Sequence, residues 1–96
     1  MSETLRIARR CIVSGRVQGV AYRATARARA WQMQIYGYAR NLPDGRVEVL
    51  ACGQASAVQA FIEWLWIGPA AARVSAVQVE EVGMSPARQP PDFAVE

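Results

Sequence analysis

The chain contains no lysine and no histidine, so all eleven of its basic residues are arginine. The absence of histidine excludes a histidine general base and a phosphohistidine intermediate. The absence of lysine excludes Schiff-base chemistry and the lysine of phosphate-binding loops. Any catalysis must therefore depend on arginine, main-chain and side-chain amides, and water. The net charge of +3 suits a small anionic substrate without establishing one.

Cysteine is scarce, and both copies, Cys11 and Cys52, lie inside apolar runs. Two such cysteines without secretory context are more often buried small hydrophobic residues than a disulfide. Because C-x-x-C is absent and the carboxylates are scattered, we predict no metal site and no cofactor. The polar residues 1–4 lack the features of a signal peptide, and no apolar run approaches the length of a membrane span. We therefore expect a soluble cytoplasmic protein with no membrane contact.

The 96 residues carry no repeat, linker or low-complexity tract, so we predict a single domain over residues 1–96. Apolar alternation predicts strands at residues 7–14, 36–42, 47–51, 74–82 and 93–95. Helical spacing predicts a first helix at residues 22–33. A capping box at residues 56–59 predicts the start of a second helix, and Gly68 and Pro69 predict its end. Residues 83–92, with three prolines, read as a loop.

The resulting order is βαββαβ plus an edge strand, which is typical of the ferredoxin-like α+β sandwich. In that fold two helices cover one face of an antiparallel sheet, and the other face meets water. Cys11 and Val13 are predicted on the covered face, and Arg10 and Ile12 on the other.

The most informative segment is the two-glycine loop at residues 15–23, which ends with Arg23 in the first turn of a helix. A helix N-terminus leaves main-chain N–H groups unpaired and carries the positive end of the helix dipole. A guanidinium beside those groups makes a cradle of phosphate size. The residues alone also allow an ordinary turn whose glycines permit a sharp bend. The spacing matches neither dinucleotide-binding nor phosphate-loop motifs, so nucleotide binding is poorly supported.

Residues 15–23 resemble one signature of the acylphosphatase family. Residues 37–48, which include Asn41 and the turn Leu42-Pro43-Asp44-Gly45, resemble that family's other signature at the right distance downstream. Residues 61–65 and Gly68-Pro69 are similar to the family's second helix and its end. The resemblance covers about residues 7–95, which is nearly the whole chain.

The resemblance implies hydrolysis of a carboxyl–phosphate anhydride to a carboxylate and inorganic phosphate, without a metal. It implies that Asn41 holds the attacking water. It implies that the phosphoryl group is bound by Arg23 and by the main-chain N–H groups of Arg16, Val17, Gln18, Gly19 and Val20. Phosphoryl transfer asks a protein mainly for positioning and charge stabilisation, which these groups supply. Without the resemblance, Asn41 would be interpreted as a residue that starts a turn.

The chain departs from the family pattern at three places. Gln34 stands where a glycine usually ends the first helix, at a cost of up to about 1 kcal/mol if that position is left-handed. Ala21 stands where an aromatic residue is common, which loosens packing beside the cradle. Trp66 and Ile67 stand where polar residues are usual, which predicts an exposed hydrophobic patch or a weak self-association surface. Scattered exposed apolar residues are, however, ordinary in soluble proteins.

Two other functions remain open at this point. The same fold serves RNA-recognition domains, but their aromatic sheet motif is absent and Arg10 and Ile12 make no stacking platform. The second is a non-catalytic phosphate- or carbamoyl-phosphate-binding module, similar to the acylphosphatase-like domain of larger maturation proteins. The expected partner is a small-molecule acyl phosphate, with no nucleic acid, and the expected state is a monomer.

Overall fold

The computed structural model of the chain describes residues 5–83 and 93–96. Five strands form one sheet in the order β4-β1-β3-β2-β5, and two helices pack on one of its faces. The elements are β1 (Arg6–Arg16), α1 (Tyr22–Gln32), β2 (Tyr36–Asn41), β3 (Val47–Gln54), α2 (Ala55–Leu65), β4 (Arg73–Val82) and β5 (Phe93–Val95). All pairs are antiparallel except β2 with β5, which is parallel. The predicted ferredoxin-like fold is confirmed, while most of the predicted proline-containing loop lies outside the described residues.

The hydrophobic core lies between the helices and the sheet. The sheet contributes side chains such as Cys11, Val13 and Val49, each with no exposed surface. Helix α1 contributes Tyr22 and two alanines one turn apart, which let its backbone approach the sheet closely. Helical spacing predicts an apolar stripe of Tyr22, Ala26, Ala30 and Met33, of which the first three are buried and Met33 packs partly against the core. In α2, helical spacing predicts a buried face made of Val58, Phe61, Ile62 and Leu65. All of these are buried except Ile62, which is partly buried, and Trp64 is also buried and stacks on Phe61.

The predicted capping box at residues 56–59 is wrong. Helix α2 begins at Ala55, and its N-cap residue Gln54 makes no side-chain capping bond. The N–H of Ala55 instead donates to the main-chain oxygen of Leu5 at 2.8 Å, so the entry to β1 supplies an acceptor at this end. Ser56 therefore lies inside the first turn of the helix and does not cap it.

The predicted end of α2 at Gly68 is confirmed. Gly68 has a φ of 68°, and its N–H donates to the oxygen of Trp64 at 2.9 Å. A Cβ atom here would lie 2.7 Å from the ring of Tyr22, so only glycine fits this close approach. Trp66 and Ile67, just before it, are 50% and 69% exposed. Their role in self-association stays a prediction.

The C-terminal end of α1 is left-handed at Gln34, which has a φ of 58°. The N–H of Ile35 donates to Ala30 at 2.8 Å and that of Gln34 donates to Trp31 at 3.3 Å. This pair of bonds is a Schellman motif, which usually places glycine at the left-handed position. Gln34 therefore occupies a conformation that glycine would adopt with less strain.

The face of the sheet opposite the helices is polar around Glu48, which is only 3% exposed. Its carboxylate contacts Arg10 at 3.3 Å, forms a close ion pair with Arg40, and accepts a hydrogen bond from the Tyr38 hydroxyl at 3.1 Å. Arg40 thus lies on the opposite side of β2 from Asn41, as the alternation predicts. The middle of this face is an ion network, which does not favour the stacking of nucleic acid bases.

Neither cysteine forms a disulfide and both are buried, as predicted. Cys11 faces the helices, and burial raises the pKa of its thiol to about 12. Cys52 lies on the other face, beside Ala8 and Tyr36. Among residues 5–83 and 93–96, no helix is long and apolar enough to cross a membrane. Nor do three metal-binding side chains come together in that part of the chain.

Candidate active site

The glycine loop connects the end of β1 to the start of α1 through residues 17–21. Gly15 marks a shift in the β1–β4 register, and a Cβ atom there would lie 2.1 Å from the oxygen of Arg73. Gly19 has a φ of 77° and open space where a Cβ would stand. Ala21 takes a left-handed φ of 62°, which costs an alanine about 1–2 kcal/mol. Strained backbone of this kind concentrates at functional sites.

The main-chain N–H groups of this loop have no acceptor in the described part of the chain. None of the N–H groups of residues 17–21 donates a hydrogen bond to residues 5–83 or 93–96. Main-chain donors in folded proteins are nearly always paired, with protein, water or a bound group. A run of unpaired donors that leads into the positive end of α1 is therefore suited to an anion.

Five residues are predicted to supply main-chain N–H donors, and Arg16 differs from the other four because it lies in a strand and not in the loop. It is the last residue of β1, is exposed, and lies opposite Arg73 of β4. Val17 is buried in the core and Val20 packs partly against it, so both ends of the loop are fixed by apolar contacts. Gly19, between them, is exposed to solvent.

Arg23 and Asn41, from α1 and β2, are brought together at a single main-chain oxygen. The Arg23 Nη1 donates to the oxygen of Glu96 at 2.6 Å, and the Asn41 N–H donates to the same oxygen at 3.3 Å. No Asp or Glu side chain of the described residues lies in ion-pair range of Arg23. The guanidinium charge is thus left uncompensated by side chains beside the loop.

The side chain of Asn41 has a buried acceptor with no partner. Its Oδ1 atom is the buried side-chain oxygen or nitrogen that lacks a hydrogen bond in the described residues. A buried carbonyl oxygen without a donor is rare in folded proteins and calls for a water or a ligand group. The turn that follows Asn41 is closed as predicted, with Gly45 N–H donating to Leu42 at 3.1 Å.

Two features of the site were missed by the sequence reasoning. The Gln18 side chain bonds to the oxygens of Leu42 and Arg46 at 2.9 and 3.0 Å, a contact that no local pattern could indicate. The hydroxyl of Tyr22 donates to the oxygen of Leu65 at 2.5 Å and fixes the start of α1 on α2. Burial raises the pKa of Tyr22, which makes it an anchor and not an acid or base.

Comparison with known proteins identifies the family to which this arrangement belongs. The family model named Acylphosphatase matches residues 9–95. The chain belongs to the acylphosphatase family. An acylphosphatase from Chromohalobacter salexigens is 56% identical over 75 residues, which cover 75% of this chain and 83% of that protein.

Two acylphosphatases of solved structure share the fold over nearly their whole length. The acylphosphatase from Coxiella burnetii superposes with a TM-score of 0.89 at 37% identity, covering 100% of both chains. The acylphosphatase from Bacillus subtilis superposes with a TM-score of 0.87 at 33% identity, covering 96% of this chain and 99% of that one. The family resemblance seen in residues 15–23 and 37–48 is thus confirmed.

Proposed function

We propose that the main-chain N–H groups of residues 16–20 and the Arg23 guanidinium bind a phosphoryl group, and that Asn41 holds the attacking water. The reaction is the hydrolysis of an acyl phosphate to a carboxylate and inorganic phosphate, the activity of this family. One observation carries the assignment of roles. In the described residues the loop N–H groups have no acceptor, and the buried Oδ1 of Asn41 has no donor. Arg23 pairs with no carboxylate side chain and shares the Glu96 oxygen with the Asn41 N–H.

The chemistry requires little beyond these groups. The water oxygen forms a bond to phosphorus while the bond from phosphorus to the acyl oxygen breaks, and the carboxylate leaves with the electron pair. A carboxylate is a stable leaving group, so no protein acid is needed. The proton of the water passes to a phosphoryl oxygen, so no strong base is needed either. Arg23 and the loop amides stabilise the charge on the equatorial oxygens.

The Asn41 acceptor favours turnover over binding alone. A module that only bound phosphate or carbamoyl phosphate would need donors around its anion and would gain nothing from a buried carbonyl acceptor beside it. A water molecule, unlike a phosphoryl oxygen, donates hydrogen bonds and so satisfies the Oδ1 atom. The alternative of a non-catalytic module is therefore not favoured.

We further propose that residues 1–96 act as one domain, as a monomer, without a metal and without nucleic acid. The positive charge that a metal would supply is available from Arg23 and the loop donors. The two buried cysteines form no disulfide, as expected in a reducing compartment, and we propose that this is the cytoplasm.

The assignment is tested by hydrolysis of benzoyl phosphate in the presence of EDTA. We expect the purified chain to hydrolyse it well above background, and Arg23→Ala and Asn41→Ala to remove most of that rate. Arg27→Ala, one turn further along α1, is the matched control and should behave like the wild type. A wild-type rate equal to background would refute the reaction, and a rate abolished by EDTA would refute metal independence. Activity surviving both site substitutions would refute the assigned roles.

A further inference from the structure

The side-chain amide of Gln18 links the loop to the hairpin between β2 and β3. Its Nε2 donates to the oxygen of Leu42 at 2.9 Å and to the oxygen of Arg46 at 3.0 Å. These partners lie 24 and 28 residues away, on either side of the turn that follows Asn41. Both protons of the amide are thus used on the element that carries Asn41.

The hairpin does not need Gln18 to close. The N–H of Leu42 donates to Arg46 at 2.8 Å, and the N–H of Gly45 donates to Leu42 at 3.1 Å, so both oxygens already have a main-chain donor. Between residues 17–21 and residues 41–47, no other hydrogen bond is made. The bonds from Gln18 therefore fix the separation of two elements, each of which is completed by other contacts.

We propose that the Gln18 side chain is a positioning residue for hydrolysis, which sets the distance from the phosphoryl-binding loop to Asn41. It thereby aligns the water held at Asn41 with the phosphorus atom bound in the loop. This inference rests on the roles proposed for Arg23 and Asn41. It concerns the Gln18 side chain alone, because the main-chain N–H of residue 18 stays in the loop whatever side chain stands there.

This arrangement predicts that binding and turnover respond differently to loss of the amide. The loop donors and Arg23 remain when the side chain is truncated, so affinity for a phosphoryl group changes little. The alignment of water with phosphorus is lost, and a misplacement of about 1 Å can cost on the order of 100-fold in rate. The effect therefore falls on kcat and not on KM.

The test compares Gln18→Ala and Gln18→Met with the wild type. Methionine keeps the length of the side chain but has no donor, so it separates loss of the hydrogen bonds from loss of packing. We expect kcat for benzoyl phosphate to fall about 10- to 100-fold in both variants. KM and the inhibition constant of inorganic phosphate should stay within about threefold. Gln59→Ala, at an exposed glutamine of α2, is the control and should leave kcat unchanged.

Circular dichroism and thermal unfolding establish that each variant is folded at the assay temperature. If either variant is unfolded, the folded one alone decides the result. A folded variant with unchanged kcat would overturn the inference. A parallel rise in KM and in the phosphate inhibition constant would also overturn it, because it would place Gln18 in the binding of phosphate.

A double-mutant cycle separates this inference from the proposed function. If Gln18 acts through the water at Asn41, adding Gln18→Met to Asn41→Ala should lower kcat by less than about threefold. Full additivity would overturn the inference. If Asn41→Ala itself leaves kcat unchanged, the proposed role of Asn41 fails. If Asn41→Ala lowers kcat and Gln18→Met does not, only the role of Gln18 fails.

Discussion

The arginines on the two sides of the sheet differ in what they contact. Arg10 and Arg40, on the open face, both pair with the buried carboxylate of Glu48. Arg23, at the start of α1, has no carboxylate side chain as a partner in the part of the chain described. The same residue type therefore supports the sheet where it pairs with a buried carboxylate. Where we propose that it binds a ligand, its partner in the described residues is the Glu96 oxygen at 2.6 Å and no acidic side chain. The adjacent residues Arg40 and Asn41 of β2 differ in the same way. Arg40 pairs with Glu48 on the open face, whereas the side-chain Oδ1 of Asn41 has no partner in the described residues.

The largest expected effect comes from replacing Arg23 and Arg40 separately by alanine and comparing the two variants. We expect Arg23→Ala to lower kcat/KM for benzoyl phosphate by about 1,000-fold or more, because an arginine on a transferring phosphoryl group is worth that much. Arg40→Ala should stay within about threefold of the wild type, since its guanidinium lies on the far side of β2. Equal losses in the two variants would break the comparison.

Asn41→Ala should give the next largest effect, a fall in kcat of about 100-fold, similar to the loss of one positioned hydrogen-bonding group. Its free energy of unfolding should not decrease, because the Oδ1 atom makes no hydrogen bond in the described residues. Urea unfolding checks this expectation. A marked loss of stability would mean that Asn41 supports the fold and was not left unpaired for function.

On the open face the expected effect is on stability. Glu48→Gln should lower the free energy of unfolding by about 2 kcal/mol, less than for a fully buried pair because both arginines are half exposed. Glu80→Gln is the control, since this exposed carboxylate also pairs with Arg10 and should cost under about 1 kcal/mol. At temperatures where Glu48→Gln is folded, its kcat should equal that of the wild type. A loss of kcat would show that the two sides are coupled.

The smallest effect concerns the two left-handed residues that flank α1. Ala21→Gly and Gln34→Gly should each raise the free energy of unfolding by up to about 1 kcal/mol, because glycine adopts this conformation without strain. Only Ala21→Gly should lower kcat, since it makes the loop that carries the unpaired donors more flexible. Unchanged kcat in both variants would show that strain at Ala21 has no part in catalysis.

The order of elements could be predicted from the sequence because its signals are local, whereas the choice of Asn41 as a candidate residue depended on the family resemblance. The stripe of Tyr22, Ala26 and Ala30 and the turn at Gly45 lie within a few residues of the structure they specify. The departure at Gln34 was identified from the family pattern, but whether that position is left-handed was left open until the structure gave its φ of 58°. Signals of this kind do not depend on where the rest of the chain lies.

The remainder could not be predicted because it depends on contacts between distant segments. The N–H of Ala55, at the start of α2, donates to Leu5, about 50 residues earlier in the chain, and Ser56 is not the N-cap residue. Glu48 is buried only because Arg10 and Arg40 arrive from the two neighbouring strands. In the sequence, Gln18 is indistinguishable from any other polar loop residue. Its role depends on hydrogen bonds to Leu42 and Arg46, which are distant in the chain.

Because the cysteines are buried, the rate at which Cys11 reacts with alkylating reagents measures how often the fold opens. With a pKa of about 12, the Cys11 thiol is almost entirely protonated at neutral pH and is shielded by the helices, so alkylating reagents reach it only when the helices separate from the sheet. Cys52 is buried on the other face beside Ala8 and Tyr36 and is not covered by the helices. The alkylation rate of Cys11 would therefore report the separation of the helices from the sheet without any added label, with Cys52 as an internal comparison.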